Sequence, residues 1–464
     1  MKIRQNDTIA AISTPLATGG GIGIVRVSGE DAFNIADKIF KSSRGEKVSS
    51  FESHTINYGH IVSPRTKNIL DEVLLSVMRA PNSYTVEHVV EINCHGGIIA
   101  LKKVLELCLS QGARLAEPGE FTKRAFLNGR IDLAQAEAVL DIITAETDLL
   151  QKSALEQLNG VFSKKTQALR CRIIDTLSTI ELAIDFSQED VKFEENEKIT
   201  EHVNDIAGQI KNLALEAEKG MIVRHGANVV ICGRPNVGKS SLMNALLKND
   251  RVIVTPIAGT TRDVIEESIE IDGIKIRISD TAGIIETKDR VEIEGIRRSK
   301  EKLRSADIVI LVLDYNRSLS AQDKKIYDTV KDKKVIIVVN KIDLGRKLNI
   351  REMEKQFGKN KFLKVSVLEN KGLNTVESAV ISALFNEEAG LPRLNNVVNL
   401  RHKQILKKTA LVMERAVSFT GKQYNAELLA CDLNEALTEL GFITGETAGE
   451  EILDRIFSRF CVGK

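Results

Sequence analysis

A glycine-rich segment near the middle of the chain carries the residues best suited to phosphate chemistry. It reads GRPNVGKSS from Gly233 to Ser241, with two glycines five positions apart followed by Lys239 and Ser240. An apolar run precedes it and a helical pattern follows it, which is the strand, turn and helix context of a phosphate loop. In such a loop the backbone N–H groups face an anion at the helix N-terminus. Lys239 would reach the β- and γ-phosphates of a nucleotide, and the Ser240 hydroxyl would bind Mg²⁺.

Three further segments follow in the order found in an unpermuted GTPase. DTAG begins at Asp280 after an apolar strand, so Asp280 would hold the magnesium shell and the Gly283 N–H would meet the γ-phosphate. NKID ends at Asp343, whose carboxylate can accept both N–H donors of the guanine edge. Adenine lacks this pair of donors, so the pattern predicts GTP rather than ATP. Ser366 closes a third strand-like run and would begin the last loop that contacts the purine.

Two details of this region bear on hydrolysis. A threonine in the segment TPIAGTTRD would supply a second Mg²⁺ ligand when that segment closes over the nucleotide, and either Thr260 or Thr261 could serve. Ras-type proteins place a water-orienting glutamine after the DTAG motif, but this chain has Ile284 there. Another residue must therefore place the attacking water. Arg262 could act as an arginine finger or pair with the aspartate that follows it.

The elements that must position these motifs are those of a Ras-like domain, predicted over residues 221–384. Each motif follows a buried strand, and the dipeptide Asp272-Gly273 predicts a tight hairpin between two of the strands. The predicted nucleotide contacts are Asn236, Val237, Gly238, Lys239, Ser240, Ser241, Thr255, Pro256, Ile257, Ala258, Gly259, Thr260, Thr261, Asp280, Thr281, Ala282, Gly283, Asn340, Lys341, Asp343 and Ser366.

The remaining segments predict a multidomain α/β protein. Residues 1–119 have a mixed α and β pattern and form the predicted N-terminal α+β domain. Residues 120–220 repeat their apolar positions at helical intervals, and an acidic stretch at 189–197 is interpreted as a solvated loop. Helical patterns resume over 385–464, so a mainly α-helical domain lies on both sides of the GTPase segment.

Composition restricts the class of protein. At 464 residues the chain is too long for one core, and a net charge of +1 leaves nucleic-acid binding to local patches. A basic cluster could contact nucleic-acid phosphates or be a solvated helix face; it comprises Arg401, His402, Lys403, Lys407 and Lys408. No apolar run approaches the roughly 20 residues of a membrane span. The six cysteines are scattered, which fits reduced thiols in the cytoplasm and gives no support for a structural zinc site.

Several motifs outside the nucleotide segment resemble one family over essentially the whole chain. They are the GGGIG segment ending at Gly23, PGEFT from Pro118, FLNGRIDLAQAEA from Phe126, GTTRD from Gly259 and the C-terminal FCVGK. This combination is similar to the MnmE (TrmE) family of tRNA-modification GTPases. The resemblance implies that the GTPase domain is inserted in the helical domain, and that the N-terminal domain makes a homodimer.

The resemblance also implies a folate site in the N-terminal domain. The family binds a tetrahydrofolate one-carbon derivative, 5-formyl or 5,10-methylene, and the matching positions are Arg26, Glu91, Arg130 and Lys464. Some relatives carry lysine in place of Arg130, but the positive charge is retained. Cations suit the folate glutamate, and a carboxylate suits the N–H edge of the pterin ring. Family position also places the C-terminal Cys461 near this site, as nucleophile, acid–base group or bystander.

For hydrolysis, the resemblance implies a potassium ion in place of an arginine finger. The matching K⁺ ligands are Asn236, Thr255, Ile257 and Thr260, and the family pattern favours Thr261 as the second Mg²⁺ ligand. K⁺ between the β- and γ-phosphates offsets charge in the transition state. Glu292 matches the water-orienting glutamate of the family, although an acid at this place could equally stabilise a helix N-terminus.

The partners implied are tRNA and MnmG, an FAD-dependent protein with which the family forms a heterotetramer. Together they add an aminomethyl or carboxymethylaminomethyl group at C5 of the wobble uridine, position 34, of certain tRNAs. Nucleotide-dependent pairing of two GTPase domains would accompany the cycle. The alternative is an Era-like GTPase that binds ribosomal RNA, although such proteins usually add their RNA-binding domain after the GTPase. A membrane-remodelling GTPase would need an amphipathic basic anchor, and this chain has none.

Overall fold

The computed structural model describes residues 7–16, 20–185, 193–249, 268–280, 303–358, 362–385, 398–421 and 424–464. The chain divides into two compact units. The first comprises Met1–Leu140, Gln157–Arg170 and Leu437–Lys464, and the second comprises Asp141–Glu156 and Cys171–Ala436. The predicted domain limits at 119, 220 and 384 stay predictions.

A seven-stranded sheet forms the centre of the first unit. Its strands are β1 (Ile9–Ile12), β2 (Ile22–Ser28), β3 (Phe40–Ser42), β4 (Thr55–Val62), β5 (Ile69–Met78), β6 (Val89–His95) and β7 (Arg114–Leu115). Their spatial order is β3-β4-β5-β6-β2-β1-β7, and only β1 and β7 pair in parallel. Buried residues alternate along β5 and β6, so the sheet has one apolar face. Helices α1 (Ala32–Ile39) and α2 (Ile98–Ser110) share the core built on that face.

A smaller core in the same unit joins α3 (Glu120–Leu127), the first turn of α4 (Leu133–Thr144) and α14 (Glu450–Phe457). Ala125, Leu133 and Phe457 are buried in it. After α14 the chain runs beside the segment that precedes α3. Pro118 and Val462 form an isolated β-bridge, and the Phe121 N–H donates to the Lys464 carbonyl oxygen at 3.2 Å. The C-terminal tail is thus bound to the PGEF motif.

A six-stranded sheet forms the centre of the second unit. Its strands are β8 (Ala227–Cys232), β9 (Ser268–Ile271), β10 (Ile274–Asp280), β11 (Ile308–Asp314), β12 (Lys334–Asn340) and β13 (Phe362–Lys364), in the order β13-β12-β11-β8-β10-β9. All neighbours pair in parallel except the hairpin β9–β10. Every residue of β11 is buried, because helices cover both faces of a central parallel strand. The helices of this region are α8 (Lys239–Asn249), α9 (Ala321–Val330), α10 (Ile350–Phe357) and α11 (Leu373–Phe385).

Further helices in the described part of the chain are α5 (Asp148–Leu158), α6 (Val161–Asp185), α7 (Phe193–His225), α12 (Leu400–Ser418) and α13 (Ala426–Thr444). Helices α7 and α12 of the second unit are joined by two ion pairs, Lys211 with Glu414 and Lys403 with Glu218. In the described part of the chain, no helix combines the length and apolar character needed to cross a bilayer.

Two local predictions can be compared with these elements. The hairpin at Asp272-Gly273 is present, with φ of 51° and 80° at the two residues. The acidic stretch, by contrast, is only partly a loop candidate, because α7 already begins at Phe193. Glutamate and lysine are good helix formers, and Ile199, Val203 and Ile206 further along α7 are buried. Packing of those residues therefore extends the helix into the acidic segment. Residues 186–192 lie outside the described residues.

Candidate functional site

The phosphate loop lies between β8 and α8, at the carboxyl end of a central parallel strand. Its backbone has positive φ at Gly233 (145°), Asn236 (63°) and Gly238 (100°). A Cβ at Gly233 would lie 2.5 Å from the Val312 carbonyl oxygen, and one at Gly238 would lie 2.2 Å from Asn340 Nδ2. The two glycines therefore let the loop approach β11 and the end of β12 more closely than any side chain would allow.

Lys239 and Ser240 occupy the first turn of α8, where the predicted phosphate and magnesium contacts belong. Lys239 is nearly buried, and its Nζ donates to the Arg234 carbonyl oxygen at 3.1 Å. Ser240 Oγ donates to Asp280 Oδ2 at 2.7 Å, so the turn after β8 and the end of β10 bring the two predicted magnesium residues together. Asp280 Oδ1 is buried and has no hydrogen-bond partner among the described residues. A carboxylate oxygen in this state is suited to a cation.

Asn340 connects the guanine motif to the phosphate loop. Its side chain is buried at the end of β12. Nδ2 donates to the Val237 carbonyl oxygen at 3.0 Å, and Oδ1 accepts from the Val367 N–H at 3.3 Å. A single amide thus joins the loop that would hold phosphate to the loop that would contact the base. Its role is to fix the distance between the two halves of the nucleotide site.

Lys341 makes a second connection of the same kind. Its Nζ donates to the Asn236 carbonyl oxygen at 2.7 Å and to Asp314 Oδ2 at 2.8 Å. Asp314 ends β11 and is buried, so it directs the lysine across the site. Sequence reasoning did not select Asp314, since its only signal is a carboxylate at the end of an apolar strand.

Asp343 and Ser366 meet at the base-binding end. Ser366 is buried, and its Oγ donates to Asp343 Oδ1 at 2.5 Å. The same Oγ accepts from the Glu369 N–H at 3.2 Å, and Ser366 pairs with Lys371 in a short β-bridge. The bridge fixes the loop, the loop fixes the hydroxyl, and the hydroxyl orients the carboxylate. An oriented, exposed carboxylate can accept the paired N–H groups of guanine.

A second constellation lies in the first unit. Arg26 and Glu91 face each other on β2 and β6, and Arg26 Nε donates to Glu91 Oε1 at 2.8 Å. The Arg26 guanidinium carbon lies 5.7 Å from the centre of the Tyr84 ring and 5.5 Å from that of Phe121. Arg130 lies over the same Tyr84 ring at 4.9 Å. The Tyr84 ring therefore contacts one cation from each of two elements. No spacing pattern in the sequence predicts this role.

The C-terminal tail reaches this constellation. Arg26 Nη1 donates to the Gly463 carbonyl oxygen at 3.4 Å, and the Lys464 carbonyl oxygen accepts from the Phe121 N–H. Cys461 is exposed, and its carbonyl oxygen accepts from the Gly119 N–H at 3.4 Å. The four predicted folate residues are thus connected through Tyr84, Phe121 and the tail. An open cavity of about 640 Å³ is lined by Tyr84, Asn128 and Arg130 among others, and Arg130 is the one predicted folate residue in its lining.

Comparison with known proteins decides the family. A sequence profile described as GTP-binding protein TrmE N-terminus matches residues 8–130, and one described as MnmE helical domain matches residues 133–461. Proteins named tRNA modification GTPase MnmE from Thermoanaerobacter pseudethanolicus and Bacillus licheniformis are 48% and 44% identical to this chain. Each alignment covers 99% of this chain, with 99% of the first relative and 100% of the second.

The chain belongs to the MnmE family of tRNA modification GTPases. The predicted fold class is confirmed, because the helical-domain match encloses the six-stranded sheet and so leaves the GTPase domain inserted within it. Among solved structures, Aquifex aeolicus Era bound to GDP·AlF₄⁻ is 30% identical over 42% of this chain and 68% of its own, with a TM-score of 0.29.

Part of the predicted MnmE-type site falls outside the described residues. The nucleotide and metal positions concerned are Thr255, Pro256, Ile257, Ala258, Gly259, Thr260, Thr261, Thr281, Ala282 and Gly283, together with the catalytic candidate Glu292. Their assignments stay predictions. The described positions, from Asn236 to Ser241 and at Asp280, Asn340, Lys341, Asp343 and Ser366, line one continuous edge of the sheet.

The basic cluster at the start of α12 is not a continuous surface. His402 is fully buried, so it cannot contact a nucleic acid, and Lys403 pairs with Glu218 on α7. Lys407 and Lys408 are exposed. The sequence pattern predicted a larger basic surface than the structure has, because His402 lies on the face of α12 that packs into the core.

Proposed function

We propose that this chain uses a Mg²⁺- and K⁺-dependent GTP hydrolysis cycle to drive modification of the wobble uridine in tRNA. The observation that carries the proposal is that predicted residues from different motifs contact each other at both ends of one site. Ser240 contacts Asp280 where the phosphates would lie, and Ser366 contacts Asp343 where guanine would lie. Similarity to tRNA modification GTPases over the full chain is the reason for proposing tRNA modification as the process that is driven.

Magnesium would be held by Ser240 and Thr261, with Asp280 in its shell. Among the residues that the structure describes, Asp280 Oδ1 has no hydrogen-bond partner, which supports a divalent cation at this place. Bound Mg²⁺ supplies charge neutralisation on the β- and γ-phosphates. Ser240 and Asp280 come from different elements, so their contact fixes the loop relative to β10, and Lys239 can exchange its carbonyl partner for a phosphate oxygen.

Potassium would be held by Asn236, Thr255, Ile257 and Thr260. The Asn236 side chain is exposed on the phosphate loop, while its carbonyl oxygen is fixed by Lys341, so the loop presents the amide without being distorted. Bound K⁺ supplies the positive charge that an arginine finger gives other GTPases. Glu292 would orient the attacking water, since Ile284 has no hydrogen-bonding group.

A hydrolysis assay tests the nucleotide part of the proposal. We expect the purified chain to hydrolyse GTP faster in potassium than in sodium buffer, and ATP negligibly. Asn236→Ala should remove the difference between the two buffers while GDP affinity stays within about twofold. Asn244→Ala, an exposed asparagine on α8, is the matched control and should keep the potassium response. A potassium response that survives in Asn236→Ala would contradict the ion assignment.

The N-terminal domain would bind the folate one-carbon donor through Arg26, Glu91, Arg130 and Lys464. Arg26 and Arg130 lie against Tyr84, and an open cavity is lined by Tyr84 and Arg130, which supports an anionic ligand with a flat ring. Bound folate supplies the one-carbon unit. Cys461 is exposed beside the tail contacts, where it would be free to act in the transfer.

The assembly proposed is a homodimer through the N-terminal domain that joins two copies of MnmG in a cytoplasmic heterotetramer. MnmG would supply FAD, and together the proteins would add the aminomethyl or carboxymethylaminomethyl group to tRNA. The GTPase domains would pair when nucleotide is bound. Matches over the N-terminal and helical regions favour this function over an Era-like ribosomal RNA-binding GTPase.

A further inference from the structure

Arg234 is the one basic residue in the first half of the phosphate loop, between Gly233 and Pro235. A cation in this place would ordinarily be expected to face phosphate. Its Nε instead donates to Asp323 Oδ1 at 2.9 Å, in the first turn of α9. The Arg234 side chain is 15% exposed and that of Asp323 is 1% exposed. The Arg234 guanidinium therefore joins the phosphate loop to the start of α9 through a largely buried ion pair.

Asp323 has partners for both of its carboxylate oxygens. Oδ1 accepts from Arg234, and Oδ2 accepts from the Ser320 N–H at 3.0 Å and from Ser320 Oγ at 2.9 Å. Ser320 Oγ in turn accepts from the Asp323 N–H, which completes a capping box at the start of α9. The buried Asp323 carboxylate is the anchor for the phosphate loop, and Arg234 is its charge partner.

The anchor is connected to the phosphate-binding lysine through one residue. The Arg234 carbonyl oxygen accepts from Lys239 Nζ, while its side chain reaches Asp323. The preceding Gly233 lies so close to β11 that a Cβ there would be 2.5 Å from the Val312 carbonyl oxygen. The first half of the loop is thus fastened to the β11–α9 side of the sheet, and the second half is fastened to Asn340 and Lys341.

We propose that Arg234 is a positioning residue for nucleotide binding. Its ion pair with Asp323 holds the phosphate loop in its binding conformation before the nucleotide arrives. GTP binding therefore does not have to bear the entropic cost of ordering the loop. The inference rests on the proposed GTP site but assigns a residue that the nucleotide motifs leave out. Loss of the pair leaves a buried, uncompensated carboxylate beside the loop and lets the Lys239 contact shift.

Equilibrium binding of a fluorescent GDP analogue to the full chain tests this, with melting temperature measured in parallel. Arg234→Gln and Asp323→Asn should each raise Kd by about tenfold, typical of the loss of one charge-assisted contact. The double variant should stay within about twofold of the weaker single one, because both remove the same interaction. Ser320→Ala is the control: it weakens the α9 cap but keeps Arg234 on Asp323, so it should lower the melting temperature while Kd changes less than about twofold.

Three outcomes decide the matter. A wild-type chain that does not bind GDP would overturn the proposed function itself. A wild-type chain that binds GDP while Arg234→Gln binds it equally well would overturn only the positioning role. An increase in Kd for Ser320→Ala as large as that for Arg234→Gln would also overturn it, since affinity would then follow the stability of the helix cap rather than the ion pair.

Discussion

In the proposed nucleotide site, single residues would decide which base is accepted. Asp343 is oriented by Ser366 Oγ, which itself is held by the Glu369 N–H. An ionised carboxylate only accepts hydrogen bonds, so we propose that Asp343 binds the two N–H donors of guanine and rejects a ring that offers an acceptor. Because the discrimination depends on this one acceptor pair, it can be reversed by changing one atom.

Asp343→Asn should lower GDP affinity by at least about 100-fold, since the amide N–H₂ would oppose a guanine donor. Xanthine carries an oxygen where guanine has its amino group, so the variant should bind xanthosine diphosphate better than GDP. Competition binding measures both affinities. Asp328→Asn, an exposed residue on α9, should change neither. Loss of both nucleotides in Asp343→Asn would indicate a damaged site rather than an altered preference.

At the residue scale, the sequence predicted the side chains whose spacing is local. Lys239, Ser240 and Asp343 lie in contiguous motifs, so their chemistry could be read before the structure. Asp314 and Asp323 could not, because they act through partners 27 and 89 residues away. Tyr84 was missed for the same reason, since its cations come from β2 and from the segment after α3.

Secondary-structure elements of the first unit are joined by an ionic cluster in which Glu120 and Arg124 are buried and Arg114 is partly exposed. Glu120 at the start of α3 accepts from Arg114 Nη2 at 2.6 Å and from Arg124 Nη2 at 3.2 Å. Asp7 accepts from both arginines as well. Burial alone would raise the pKa of Glu120, but the hydrogen bond from Arg114, the Glu117 N–H and the charges of Arg124 and Arg114 outweigh it and lower the pKa. The cluster therefore favours the ionised carboxylate.

Glu120→Gln should lower the free energy of unfolding by about 2 kcal/mol at pH 7, because Arg114 and Arg124 each lose a charge-assisted hydrogen bond but keep Asp7 as a partner. A lowered native pKa contributes stability that is present above the usual value of 4.5 and is lost as pH falls through the native value. The difference between wild type and variant should therefore shrink at about pH 3.5. Urea unfolding at both pH values measures it. The exposed Glu117→Gln is the control, and an equal difference at both pH values would contradict the assignment.

The tail is the second element whose contacts make a prediction. Its backbone is bound at Gly119 and Phe121, so the Lys464 side chain is presented from a fixed base. Removing Lys464, or replacing it by Lys464→Gln, should weaken folate binding by about tenfold through loss of its charge. Calorimetry with 5-formyltetrahydrofolate measures this, and the GTPase rate should be unchanged. Full affinity in Lys464→Gln would show that the charge has no part in binding.

At the element scale, tight turns were predictable and helix limits were less so. Asp272-Gly273 fixes a hairpin by backbone sterics alone. The start of α7 depends on the packing of apolar residues further along the helix. The acidic composition of its first turn therefore led to a wrong prediction of a loop there. The burial of His402 likewise depends on which face of α12 packs, which the basic pattern conceals.

At the scale of the whole molecule, the residues of the two proposed sites are divided between the two compact units. The nucleotide motifs lie in the second unit, and the proposed folate residues and Cys461 lie in the first. We propose that GTP hydrolysis drives tRNA modification through conformational change. The family motifs at the two ends of the sequence predicted this organisation, since the GTPase motifs alone are common to many proteins.

Nucleoside mass spectrometry of tRNA tests the central claim most directly. A bacterial strain that lacks its own member of the family would be complemented with the wild-type chain or with Lys239→Ala, which loses the phosphate contact. The account predicts that wild type restores the C5-substituted wobble uridine and that Lys239→Ala, produced at equal level, does not. Unmodified wobble uridine with the wild-type chain, or equal restoration by both, would contradict it.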